Sequence, residues 1–365
     1  MAGSVTLIVL LILLVRSAGL PFVSRPVGTA ERVRIATRCR LAIERAGGSE
    51  VWVKVPPHTP FPSPQVNTAV EVAIAHSRFD AVLAAFEEQA VRERVQVEVE
   101  FSRARGQWRS ARIGLVRGRR PAGRWLLREV PRMRHAAIII DDLGHDLGAA
   151  QRWISLPYPV TFAVLPHLAH SATTAEEAHQ AGREVMLHLP MEADSAAQPG
   201  AGEIRVGMRK SEVEHWLDAD LGSVPYARGV NNHMGSRATT DANLMAEVMD
   251  ALAQRGLFFI DSRTSAASVA LDVARRRGIP TFYRSVFLDD VETVPYTLGQ
   301  LRELLRIIEE QDAELAIGHP YPTTLAALER FLPEFERRDI QLVQVSQLLR
   351  LPVVAERAPA PPGGD

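Results

Sequence analysis

The sequence predicts an α/β protein whose larger part is a parallel sheet wrapped by helices, and three observations carry that expectation. From Met133 onward short apolar runs alternate with helical stretches, seven or eight strand–helix units in about 215 residues. The first run, Ala136 to Ile140, has five apolar residues, three of them β-branched, and reads as a strand buried on both faces. Almost every run then stops on polar residues. Closing the sheet into a barrel would cover its edges and gather those tips on one face; a doubly wound open sheet is the alternative.

Taken in order, the chain opens on an apolar run from Val5 to Val15, followed by Arg16-Ser17-Ala18-Gly19. That is short for a spanning helix and suits the core of a signal peptide, with small residues for cleavage, although no Lys or Arg precedes it. Residues 1–19 are therefore expected to export the chain or anchor it in a membrane. Residues 20–30, with Pro21, Pro26 and Gly28, read as a linker. Residues 31–130 read as a small α+β module with strands at Val51–Val55, Val95–Phe101, Ala111–Val116 and Arg124–Val130 and a helix at Ser77–Gln89. Up to Arg134 basic residues outnumber acidic ones by about two to one, and beyond it the balance is acidic. A basic module suits an anionic neighbour such as membrane headgroups, or is simply a solvated surface.

The barrel is expected over residues 134–351. Its strands are Ala136–Ile140, Val160–Val164, Glu184–Leu187, Ala227–Val230, Leu257–Ile260, Thr281–Tyr283, Glu314–Ile317 and Gln341–Val345. Thr173 with Glu176 and Ser211 with Glu214 fit capping boxes, and Gly182, Gly256 and Gly278 stand where helices should end. Residues 352–365 read as a disordered tail.

A net charge of −1 gives no support for nucleic-acid binding, and the single cysteine, Cys39, excludes an internal disulfide and a cysteine metal site. The chemistry lies at the strand tips: Asp141-Asp142, His167, His188 to Glu192, Asn231-Asn232-His233, Asp261-Ser262-Arg263, Asp289-Asp290 and His319. Adjacent carboxylates repel, so the Asp pair needs a cation, a shared proton or solvation. Two imidazoles and a carboxylate make a site for zinc or another divalent ion with a position open to water. One Asp can then bind the ion while the other takes a proton from water.

Five motifs in order, IIDDLG (Ile139–Gly144), VMLHLPME (Val185–Glu192), GVNNHMGS (Gly229–Ser236), FIDSRT (Phe259–Thr264) and IGHPYP (Ile317–Pro322), resemble the divergent polysaccharide deacetylase family, related to NodB-type carbohydrate deacetylases. The resemblance spans about residues 134–351. It implies an irregular (β/α)7 barrel with one divalent metal, zinc by expectation, at the C-terminal ends of the strands. It implies Asp141 as base, Asp142 and His188 as metal ligands, and His319 as acid. NodB-type enzymes carry a second His four residues after the first, where this chain has Glu192. The third ligand is then His233, which keeps a two-His, one-carboxylate set, or Glu192. Asn232 and Asp261 are further ligands or partners of ligands, Arg263 is a catalytic residue that orients an acyl or carboxylate group, and His167, Ser236 and Arg237 bind substrate. The implied protein is an exported or membrane-anchored metallohydrolase of the periplasm or envelope that deacetylates a glycan at amide or ester. The alternatives are a non-catalytic metal- or glycan-binding scaffold and a different metal-dependent esterase or amidase.

Overall fold

The computed structural model describes residues 27–54, 69–102, 108–118, 120–351 and 353–354. The expected export segment and the proline-rich stretch 56–64 lie outside them. The chain divides into two compact units, residues 1–133 and 134–365. Among the described residues no helix is long and apolar enough to cross a membrane.

Among the described residues the first unit forms a five-stranded sheet with two α-helices. In chain order it comprises α1 (Thr29–Gly47), β1 (Val51–Lys54), β2 (Val70–Ala75), α2 (Phe79–Arg92), β3 (Gln96–Ser102), β4 (Ser110–Arg117) and β5 (Arg120–Val130). The sheet order is β1-β2-β5-β4-β3, with β2 and β5 parallel and the other neighbours antiparallel. Ile35, Cys39 and Ile43 of α1 and Phe79, Val82 and Phe86 of α2 share one core with Val72, Ile74, Ile113, Trp125 and Leu127 of the sheet. Burial, assisted by Glu93, pushes the Cys39 thiol up to about 12, which leaves it inert near neutral pH. Two elements depart from expectation. The stretch read as a linker ends in α1, which starts at Thr29, and β2 had no counterpart. The apolar stripe of α1 is sparse and set among arginines, so its periodicity is faint. Several of the arginines are paired here: Arg38 with Glu93, Arg117 with Glu31, Arg128 with Glu71 and Arg109 with Glu129.

The second unit is an irregular parallel barrel. It runs β6 (Arg134–Leu143), α3 (Leu147–Ile154), β7 (Thr161–Val164), α4 (Ser171–Gln180), β8 (Val185–Met191), α5 (Lys210–Ser223), β9 (Ala227–Met234), α6 (Ala242–Gln254) and β10 (Phe258–Asp261). It continues α7 (Ala270–Arg276), β11 (Thr281–Tyr283), β12 (Val286–Phe287), α8 (Val294–Gln311), β13 (Ala313–Gly318), α9 (Pro322–Arg337), β14 (Ile340–Leu342) and α10 (Val345–Leu348). The sheet order is β11-β10-β9-β8-β7-β6-β13-β12, and β14 lies on β6. All of these pairings are parallel.

The two ends of that order, β11 and β12, belong to one short segment. Tyr283 pairs with Asp261 on β10, and Val286 pairs with Ala316 on β13. Between them the Arg284 N–H donates to the Asp261 carbonyl and the Ser285 N–H to the Leu315 carbonyl. The circle therefore closes through the covalent chain, at a seam where β11 and β12 do not pair.

Alternation along the strands separates two apolar layers. Ala136, Ile138 and Ile140 of β6 pack outward with the helices; Ala137 and Ile139 pack inward. Val345, Leu348, Leu351 and Val354 join the inward cluster. The Val345 and Ser346 N–H groups donate to Thr161 and Glu184 at the N-terminal ends of β7 and β8, so this segment plugs the barrel floor. Val354 is thus core rather than disordered tail; 355–365 lie outside the described residues. The caps also differ in part. α4 starts at Ser171, and α5 is closed by Arg209 with Glu212, so Thr173 and Ser211 sit inside helices. Gly182, Gly256 and Gly278 do follow helix ends with positive φ.

Candidate metal centre

The outward packing of Ile138 and Ile140 and the inward packing of Ile139 send Asp141 into the barrel and would send Asp142 out. Asp142 nevertheless turns inward. Pairing with β7 slips between Ile140 and Leu143, and Asp142 adopts φ of 56°. A bulge with one left-handed residue re-aims a side chain, and Asp tolerates that conformation better than most. On β8, Leu187 and Leu189 face out, so His188 faces in; on β9, Val230 faces out, so Asn231 and His233 face in. Leu315 and Ile317 face in on β13, and the same parity turns His319 inward one residue beyond it.

These parities bring three ligand atoms together. Asp142 Oδ1 lies 3.2 Å from His188 Nε2 and 3.0 Å from His233 Nδ1, and the two ring nitrogens are 3.1 Å apart. Two ligands bound to an ion at about 2.0–2.1 Å stand about 2.9 Å apart at a right angle and about 3.3 Å apart at the tetrahedral angle. The triangle falls between these values. Asp142 Oδ1 is also buried without a hydrogen-bond partner among the described residues. A buried, unsatisfied carboxylate oxygen with two ring nitrogens beside it fits a divalent cation. Burial resists ionisation of Asp142, yet the adjacent imidazoles of His188 and His233 outweigh it and hold its carboxyl well below the usual range.

Asn231, fully buried, organises this centre from behind. His188 Nδ1 lies 2.9 Å from Asn231 Oδ1, and Asn231 Nδ2 donates to Asp141 Oδ1 at 2.8 Å and to Ser262 Oγ at 3.2 Å. The amide oxygen can only accept, so Nδ1 of His188 carries the proton and Nε2 presents its lone pair to the triangle. Asp141 itself is buried; desolvation, with the charge of Asp142 adding to it, raises its pKa.

His319 stands on the other side of Asp142, with Nε2 3.8 Å from Asp142 Oδ2. Its Nδ1 lies 2.9 Å from Asp289 Oδ1, while Asp289 Oδ2 accepts from the His319 N–H at 2.6 Å and from Thr324 Oγ1 at 2.7 Å. A side chain at Gly318 would meet Asp289 Oδ2 at 3.1 Å, so glycine lets the strand pass this carboxylate. Burial opposes the charged ring, but the hydrogen bond to Asp289 and the charges of Asp141, Asp289 and Asp142 prevail and push His319 up to about 9.

The remaining expected site residues are held elsewhere. Glu192 accepts from the Val206 N–H at 2.7 Å and pairs with Arg237 at 2.7 Å, and Ser236 Oγ accepts from the Asp194 N–H; together they clamp the loop after β8. Asn232 faces outward by parity and bonds Met234, Ser262 and Thr264, tying the tip of β9 to that of β10. Asp261 shares the outward parity of Phe259, accepting from the Arg263 N–H and Ser268 Oγ. His167, with φ of 58°, pairs with the fully buried Asp220 of α5 at 2.7 Å. Arg263 is exposed, its guanidinium 3.9 Å above the Tyr283 ring. None of these belongs to the ligand cluster of Asp142, His188 and His233. Conversely, Asn231 and Asp289, noted in the sequence at strand tips, were given no role there, although they orient His188 and His319. Strand parity marks Asn231, which lies two residues from His233 on the same face; Asp289 lies past the two-residue β12, where no parity can be read.

An uncharacterized protein of Haemophilus influenzae is 36% identical to this chain over 217 residues, covering 59% of the chain and 76% of that protein. The Escherichia coli protein YibQ, also uncharacterized, is 34% identical over 223 residues, covering 61% and 70%. A crystal structure of an uncharacterized Agrobacterium tumefaciens protein superposes with a TM-score of 0.57 at 25% identity, covering 59% of this chain and 89% of that one. Residues 138–349, which hold the triangle, Asp141 and His319, match the divergent polysaccharide deacetylase family over more than half of the chain, and the chain belongs to that family.

Proposed function

We propose that the protein is a metal-dependent hydrolase that removes acetyl groups from an envelope polysaccharide after export through its N-terminal segment. The observation that carries this reading is the triangle of Asp142, His188 and His233 flanked by a buried carboxylate and a raised-pKa histidine. Asp142, His188 and His233 would hold a divalent ion, zinc by preference, which would supply Lewis acidity toward the acyl carbonyl and an acidified water. Asp141 takes the proton of the attacking water through Oδ2, the oxygen that Asn231 leaves free. His319, protonated and aligned by Asp289, gives its Nε2 proton to the departing amine or hydroxyl. The products are acetate and the deacetylated sugar, and Asp141 and His319 exchange protons with solvent to reset. Family membership supports a polysaccharide substrate.

The test is Asp141→Asn. The variant should retain the metal and lose turnover of N-acetylated glycan oligomers by about 10²–10⁴-fold. Unchanged turnover would place the base elsewhere. Absence of turnover in the metal-loaded wild type on any acetylated glycan would favour a glycan-binding scaffold instead.

A further inference from the structure

We infer that the seam between β11 and β12 carries a carboxylate-binding subsite, so that the glycan this protein takes bears a carboxylate near the group at the metal; this rests on the glycan reading above. Two guanidiniums meet at the seam. Arg263, just beyond β10, is held on three sides: its N–H donates to Asp261 Oδ1 at 2.8 Å, its carbonyl accepts from Arg284 Nη2 at 2.8 Å, and its guanidinium stacks on Tyr283. Its backbone is left-handed, with φ of 51°, a conformation disfavoured for an arginine and kept here by those contacts. Among the described residues its exposed guanidinium makes no hydrogen bond and no ion pair. The nearest acid in sequence, Asp261, is already engaged by the Arg263 N–H and by Ser268. Arg284 spends Nε on the Ser262 carbonyl and Nη2 on that of Arg263, and stacks over Phe287 at 4.8 Å.

This pair adjoins the metal centre along two routes. Ser262, between Asp261 and Arg263, receives Asn231 Nδ2, and Asn231 meets His188. Phe287, under Arg284, stands edge-on to His319 at 5.3 Å, and His319 approaches Asp142. The arginine of the β8–β9 loops is different: Arg237 is neutralised by Glu192. A guanidinium stacked on Tyr283 with its donors unspent is suited to bidentate capture of a carboxylate.

The experiment compares two disaccharides binding to the full chain by calorimetry at low salt. One is neutral diacetylchitobiose. The other is N-acetylglucosaminyl-N-acetylmuramic acid, which adds a lactyl carboxylate. The acidic sugar should bind about tenfold or more tightly, with the advantage shrinking as salt rises. Arg263→Ala should erase the advantage without changing affinity for the neutral sugar, and Arg263→Lys should restore only part of it. Equal affinity in the wild type, binding of neither sugar at millimolar concentration, or an advantage that survives Arg263→Ala would overturn the inference. Displacement of the acidic sugar by inorganic phosphate at comparable concentration would overturn the carboxylate assignment in favour of a general anion site. Turnover is read separately. Preference without turnover would keep the subsite and remove the hydrolase reading; turnover without preference would do the reverse.

Discussion

Two buried carboxylate clusters, one in each unit, look alike in composition and differ in whether their oxygens are satisfied. In the first unit Glu129 accepts from the Arg109 N–H at 2.8 Å and pairs with the Arg109 guanidinium at 2.9 Å and with His76 at 2.7 Å, while Arg109 also reaches Asp80. Burial works against its charge, yet the bonds from Arg109 and His76 prevail and lower the Glu129 pKa to about 2. Every acceptor there has a donor. At the candidate metal centre Asp142 Oδ1 faces two ring nitrogens and, among the described residues, has no hydrogen-bond partner. A cluster complete in donors serves the fold; one that gathers acceptors calls for a cation.

The largest effect that separates the two is on metal affinity. Asp142→Ala, His188→Ala and His233→Ala should each weaken binding by several kcal/mol, on the order of a lost ligand bond, in titrations of the metal-free protein. Equal affinity in any of them would remove that residue from the site. Next comes catalysis: His319→Ala should lower kcat by about 10²–10⁴-fold. Since His319 sits near 9, above the ordinary histidine value, its protonated form persists through neutral pH. Activity should fall on the alkaline side as pH passes about 9, and Asp289→Asn should move that limb toward about 6.5. An alkaline limb indifferent to Asp289 would break the pairing.

Smaller again is the effect of Asn231. Asn231→Asp keeps an acceptor for His188 Nδ1 but withdraws the donor from Asp141. It should change metal affinity by no more than about 10–100-fold while removing most turnover. Parallel loss of both, or of neither, would refute the separate duties. Glu129→Gln belongs to the other cluster and should cost about 1–3 kcal/mol in denaturant unfolding with metal affinity unchanged. Because the Glu129 pKa is depressed, its stabilisation is present above the unfolded value of about 4.3 and disappears as pH falls through about 2. Glu192→Gln should alter metal affinity least, less than about tenfold, because Glu192 serves Arg237 and Val206.

Much of this was legible in the sequence. The strand positions of the second unit follow from apolar runs bounded by glycine and polar tips; the family resemblance implied Asp142 and His188 with His233 or Glu192 as ligands, and the fold brings the ligand atoms of Asp142, His188 and His233 together. What escaped had physical causes. Asp261 was grouped with the site because it ends a strand, but its parity with Phe259 turns it outward. Parity would equally have favoured Asn231 over Asn232. For Asp142 parity points the wrong way, and only the bulge and its left-handed backbone, which leave no mark in the sequence, bring it in. The β11–β12 seam was invisible because β12, Val286–Phe287, is too short to show a period.

The most direct measurement is anomalous X-ray diffraction at the zinc edge from crystals of the zinc-loaded protein. One peak is expected in the second unit, about 2.0–2.2 Å from Asp142 Oδ1, His188 Nε2 and His233 Nδ1, and none at Glu129. No peak within that triangle, or a peak held by Glu192 in place of His233, would contradict it.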